Sequence, residues 1–155
     1  MGQKVKWKLI NVYETTKHKM WVAWYIFKAC YALVKRTVKH DLSKYSRHEA
    51  PYFEKALPAL RGIEYGSKEY MAAIESLGPA LHHHYRNNSH HPEYYDSVDG
   101  MSPLDLIEML CDWKAATKRH ATGNFGKSLE VNEARFDYDG LRTHIFKNVA
   151  REIGL

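Results

Sequence analysis

Residues 39–46 read KHDLSKYS, which sets His40 beside Asp41 just after the most apolar stretch of the chain. An imidazole next to a carboxylate is common by chance. The pair means something only if other groups join it around one centre. Ten histidines are present, and five of them fall within residues 82–91, in the segment LHHHYRNNSHHPEYY. Histidine is the commonest metal ligand, so two histidine clusters close in sequence suggest convergence on one ion. His83 with His90, and His84 with His91, are each seven positions apart and share a face if the helix persists. Pro92 biases His91 away from helical geometry, which places the second cluster at a helix end or in a loop. Its internal position, flanked by Tyr85, Asn88 and Tyr94, argues against a tag-like run.

Two further candidates are weaker when taken alone. Asp112, in EMLCDWKAA, shares a helical stripe with Asp105 and Glu108, with Arg119 farther along, and the stripe reads as a solvated acidic face. Glu108 and Asp112 are nevertheless like charges four positions apart, an arrangement that favours a positive centre nearby. His18, in TTKHKMWVAW, begins an apolar helical run, where a hydrogen-bonded, partly buried imidazole is the commoner outcome. Glu49, Glu93 and His120 are further candidates as proton carriers or as groups behind the ligands, and the sequence does not rank them.

These residues need elements to hold them. The 155 residues suffice for one domain with its own core, expected over 1–155, and the composition, 45% hydrophobic and 26% charged, excludes a disordered or fibrous chain. Val5–Val34 reads as one long helix or two joined near Thr15 and Thr16. Within it the apolar run Met20–Val34 is too short to span a bilayer and reads as a buried helix. Ser46 and Glu49 have capping-box spacing, so a helix starts between 46 and 51. Ser67 opens another, which Gly78 closes, and a further piece runs from Pro79 to about Asn87. The stretch 87–102 is the longest loop. Ser102 followed by Pro103 starts a helix of about five turns ended by Gly123. Helices over Ser128–Phe136 and Leu141–Ile153 complete the chain, the last preceded by Asp139. No alternating strand pattern appears, so the class is all-α.

Cys30 and Cys111 form no CxxC and read as buried reduced thiols. The N-terminal QKVKWK does not lead into a signal-type apolar core, so a cytoplasmic protein with no membrane association is expected. A formal net charge of +5 favours anionic partners.

The order His18, then His40-Asp41, then the histidines of 82–91, then Asp112 resembles the HD-domain superfamily of metal-dependent phosphohydrolases, whose pattern is H…HD…D, or H…HD…H…H…D in its two-metal branches. HDLSK, with Asn88–Glu93 as an N-x-HHPE segment, also resembles a family of phage and bacterial HD-like proteins. The resemblance covers about residues 10–120. It implies an HD-domain-like helical bundle in which His18, His40, Asp41 and Asp112 hold a divalent ion. If Asp41 bridges to a second ion, His84 and His91 complete its ligands, with His83 and His90 as alternates. It implies Asp41 and Lys44 as the catalytic residues, and Lys44, Arg47, Arg86 and Arg119 as groups that bind a small anionic phosphate-containing substrate, such as a nucleotide. Nitrogen donors favour Mn, Fe, Co, Ni or Zn over Mg. Lys114 is a further candidate cation.

Two other readings remain open. HD-like proteins with six ligands include diiron oxygenases. A basic helical module for nucleic acid or a protein partner is the third reading, disfavoured because Lys and Arg are scattered rather than gathered in a stripe. The sequence does not reveal the oligomeric state.

Overall fold

The computed structural model describes residues 2–64, 66–119 and 123–155. Where one domain over 1–155 is expected, the chain divides into two compact units, one ending at Lys39 and one beginning at His40. The first unit is a single helix, α1 (Gly2–Lys39), of 38 residues, about 57 Å long at 1.5 Å per residue. Neither proline nor glycine interrupts it after Gly2, so Thr15 and Thr16 lie inside one continuous helix. Arg36 and Lys39 in its last turn complement the helix dipole. Side chains one turn apart pair along it: Trp21 with Tyr25 at 6.5 Å, Trp24 with Phe27 at 6.4 Å. The run Met20–Val34 is helical as expected, but it is not the buried helix the sequence suggests. Trp21, Trp24, Ile26 and Phe27 are exposed, because a lone helix has nothing in its own unit to pack against. Cys30 is exposed with them, and so is Cys111 in the second unit, which corrects the expectation of buried thiols.

The second unit holds six α-helices: α2 (Ala50–Leu60), α3 (Lys68–Glu75), α4 (Pro79–Asn87), α5 (Pro103–Thr117), α6 (Phe125–Phe136) and α7 (Gly140–Glu152). Among the described residues there is no strand, and the all-α class holds. Three helix starts are where the sequence chemistry puts them, while α6 begins at Phe125, capped by Asn124, rather than at Ser128. Ser67 accepts from the Tyr70 N–H, Ser102 from the Asp105 N–H and Asp139 from the Arg142 N–H. Gly78 adopts φ 47° in the tight passage into α4, a backbone angle that favours glycine. Ser46 and Glu49 do not form the expected capping box. Their backbones make a turn before α2, and the Glu49 side chain is drawn inward instead. Among the described residues no helix is long and apolar enough to cross a membrane.

The core lies around α5, which packs on α6 and α7. Met109, Leu110 and Trp113 from α5 meet Val98, Met101, Leu129, Tyr138 and Phe146. The Trp113 and Phe136 rings lie parallel at 6.1 Å. Asp105 is not part of a solvated acidic face. It is 1% exposed, and its carboxylate accepts from Ser89 Oγ (2.7 Å), Tyr95 Oη (3.1 Å) and the Ser102 N–H (3.0 Å). It thereby ties the long loop to the start of α5. Ser102→Ala removes the reciprocal cap and is expected to cost about 1 kcal/mol, measurable as a lower midpoint in urea unfolding with an unchanged slope.

Charge is divided unevenly. Residues 1–39 contain nine Lys or Arg against one Glu, and residues 40–155 contain fourteen against seventeen Asp or Glu.

Candidate metal centre

The HD pair stands at the start of the second unit. Asp41 adopts the left-handed conformation, φ 57° and ψ 14°, which aspartate tolerates better than most residues. A 3-10 turn over Leu42–Tyr45 follows, closed by the Lys44 N–H on the Asp41 carbonyl at 2.9 Å. Pro79 starts α4, whose inner face buries Ala80 and His84. Past the end of α4, Pro92 opens a short 3-10 turn just after His90 and His91. The same α5 that fills the core with Met109 and Leu110 holds Glu108 and Asp112 beside these histidines.

Seven side chains gather there. Asp41 Oδ1 lies 3.3 Å from His84 Nε2 and 3.5 Å from His90 Nε2. The His84 and His91 Nε2 atoms are 2.9 Å apart. On the other side, Asp41 Oδ2 lies 3.6 Å from His40 Nε2, which lies 3.7 Å from Asp112 Oδ1. Glu108 Oε1 sits 3.0 Å from His40 Nδ1 and 3.3 Å from His90 Nδ1. Lys44 Nζ donates to Asp41 Oδ2 at 2.5 Å. Three overlapping sets are close enough to hold a metal ion: Asp41, His84, His90 and His91; His40, His90 and Glu108; His40, Asp41 and Asp112.

The donor set fits a cation. Ligand atoms at about 2.1 Å from one ion stand roughly 3.0–3.4 Å apart in octahedral or tetrahedral arrangement, and most of the spacings above fall at or near that range. Asp41 Oδ1 and His90 Nε2 are buried and have no hydrogen-bond partner, although they face one another. Buried polar atoms are rarely left so in a native protein, and an ion between them satisfies both.

The electrostatics agree. Burial alone raises the Asp41 carboxyl, but His84, His90 and Lys44 hold it well below the usual carboxylate range. Asp112 is also lowered: burial pushes it up, and the His40 imidazole beside it outweighs that. Burial, then His90 and His84, push His91 well below 6.5, so its imidazole is neutral as a ligand must be. His40 is pushed up from 6.5 to about 10 by the carboxylates of Asp112 and Glu108 beside it, against the effect of burial.

A pH prediction follows from His40. Its folded pKa lies above its unfolded value, so in the metal-free protein its stabilising contribution is fully present below pH 6.5 and is lost as pH rises through about 10. Metal binding has the opposite slope, because a ligating His40 must give up its proton. Titration calorimetry at neutral pH in buffers of different ionisation enthalpy is expected to show proton release on metal binding, with affinity rising as pH increases. Binding without proton release would remove His40 from the ligands.

The expected residues divide clearly. His40, Asp41, His84, His91 and Asp112 are brought together, and Lys44 is placed on Asp41. His90, expected only as an alternate, joins them. His83 turns instead to Glu49 Oε1 at 2.6 Å and stacks on His48 at 5.0 Å. His18 lies in the other unit, exposed on α1, and belongs to none of the three sets. Arg47, Arg86 and Arg119 are exposed. Lys114 is directed over the Phe125 ring at 5.2 Å. Glu93 pairs with Arg135, which also donates to Tyr85 Oη. His120 lies outside the described residues. Glu108 is the residue that sequence reasoning missed. Its signal was present in the like-charge spacing to Asp112, which the solvated-face reading explained away.

Comparison with known proteins extends this picture only to a family. No curated protein matches the chain, and no solved structure does. One family model matches residues 9–153, covering most of α1 and every element of the centre, and on that match the chain belongs to DUF5662, a family of unknown function.

Proposed function

We propose that this protein is a metal-dependent phosphohydrolase of the HD type, acting on a nucleotide or another small phosphate ester. One observation supports this above all others: Asp41 presents one carboxylate oxygen to His84 and His90 and the other to His40 and Lys44. A carboxylate shared in this way sits between two sets of nitrogen donors and a cation. A divalent ion bound there would lower the pKa of a water and polarise a phosphoryl oxygen. The donors for one or two such ions would be drawn from the three overlapping sets formed by His40, Asp41, His84, His90, His91, Glu108 and Asp112. With four imidazoles among them, Mn, Fe, Co, Ni or Zn suits the set better than Mg.

The remaining work falls to Lys44. Its ammonium sits at the edge of the cluster and over the Phe53 ring at 5.3 Å. There it can steady the phosphoryl oxygens as charge develops on them. Metal-loaded protein, purified without a tag, is expected to hydrolyse at least one member of a panel of phosphate mono- and diesters. Lys44→Met is expected to lower turnover by about 100-fold without lowering metal content. A fully loaded protein inert toward the whole panel would end the proposal.

The three carboxylates crowded among four imidazoles also favour a second reading, an HD-like diiron oxygenase. Iron on elemental analysis, together with oxygen consumption and no ester hydrolysis, would select it.

A further inference from the structure

Glu49 is fully buried, at 0% exposure, yet it belongs to none of the metal-capable sets. Its two oxygens take separate partners. Oε1 faces His83 Nδ1 at 2.6 Å, while Oε2 faces His84 Nδ1 at 2.9 Å and Ser43 Oγ at 3.1 Å. Asn88 Nδ2 in turn lies 2.7 Å from both Ser43 Oγ and the His84 carbonyl oxygen.

Donor and acceptor counting gives these contacts a direction. An amide nitrogen only donates, and a carboxylate only accepts. Asn88 therefore donates to Ser43, the single Ser43 hydroxyl proton goes to Glu49, and His84 Nδ1 must carry a proton for Glu49. The opposite arrangement, with Nδ1 accepting from Ser43 Oγ at 3.1 Å or from Asn88 Nδ2 at 3.2 Å, sets a ring lone pair against the carboxylate lone pair of Glu49 Oε2 at 2.9 Å. We infer that Glu49, held by Ser43 and Asn88, is a positioning residue that keeps the His84 proton on Nδ1 and so presents Nε2 as the metal-binding nitrogen. A carboxylate behind a ligating histidine fixes its tautomer and ring orientation and raises its basicity. The inference rests on the metal reading above for its purpose, though not for the proton position itself. It also gives Ser43, the fourth residue of HDLSK, a task, as the link between the Asn88 amide and the buried carboxylate.

The test separates the two ideas. Nitrogen-15 NMR of histidine-labelled protein, metal-free and loaded with Zn, reads the protonation of His84 Nδ1 directly. A protonated Nδ1 in both forms, with the Nε2 signal moving on Zn addition, is the expected result. An unprotonated Nδ1 in the wild-type protein would overturn the inference without any variant. Glu49→Leu is expected to lose Zn affinity by about 10- to 100-fold and to populate the Nε2–H tautomer. Glu49→Gln, whose amide oxygen still accepts from Nδ1, is expected to recover part of the loss. Folded Glu49→Leu protein with unchanged tautomer and unchanged affinity would also overturn it. If the wild type binds no Zn, the metal reading fails, while the tautomer measurement still decides the role of Glu49.

Discussion

Asp41→Ala is expected to abolish tight metal binding while leaving the helices in place. Asp41 belongs to two of the three ligand sets and uses both oxygens, so its loss should exceed the roughly 10- to 100-fold in affinity that a partner behind a ligand is worth. Alanine in the left-handed conformation adds a strain of about 1–2 kcal/mol. Asp41→Asn separates the effects, because asparagine tolerates that backbone and preserves the shape while removing the charge. Both variants should have near wild-type circular dichroism and strongly reduced metal on elemental analysis. Unchanged metal stoichiometry in either would remove Asp41 from the centre.

Leu110→Ala tests how the core supports the site. Leu110 and Met109 are fully buried on α5, and neighbouring positions on that helix supply Glu108 and Asp112. A cavity at a fully buried leucine costs about 2–5 kcal/mol, expected to lower the melting temperature by on the order of 10 °C. The same variant should bind metal more weakly even well below its melting temperature, because a loosened α5 places two carboxylates less accurately. A stability loss below about 0.5 kcal/mol would mean the side chain is not packed as described, since only surface positions are that tolerant.

The helix starts were legible in the sequence because they depend on local chemistry. Ser67, Ser102 with Pro103, and Asp139 each act within one turn of backbone. The HD pair, the two histidine clusters and Asp112 were legible as an ordered set, for which helical periodicity alone would not have sufficed. What escaped depended on long-range pairing. Whether Glu49 turns back to Ser46 or inward to His84 is decided by residues on α4 that are distant in sequence. Glu108 looked solvated because its partners, His40 and His90, lie on segments whose approach no wheel can show. His90 and His91 are adjacent, and the turn before Pro92 brings both to the cluster, so choosing one of them was a false alternative.

The uneven distribution of charge bears on the order in which the site is filled. Asp41, Glu108 and Asp112 line the cluster with Lys44 as the paired ammonium, on a unit whose acidic residues outnumber its basic ones. Lys44 and the protonated His40 offset only part of the three carboxylates, so a phosphate ester would be drawn in more strongly once a dication is bound. On the proposed function, affinity for the ester is therefore expected to rise with metal loading, and an affinity unchanged by stripping the metal would count against that order.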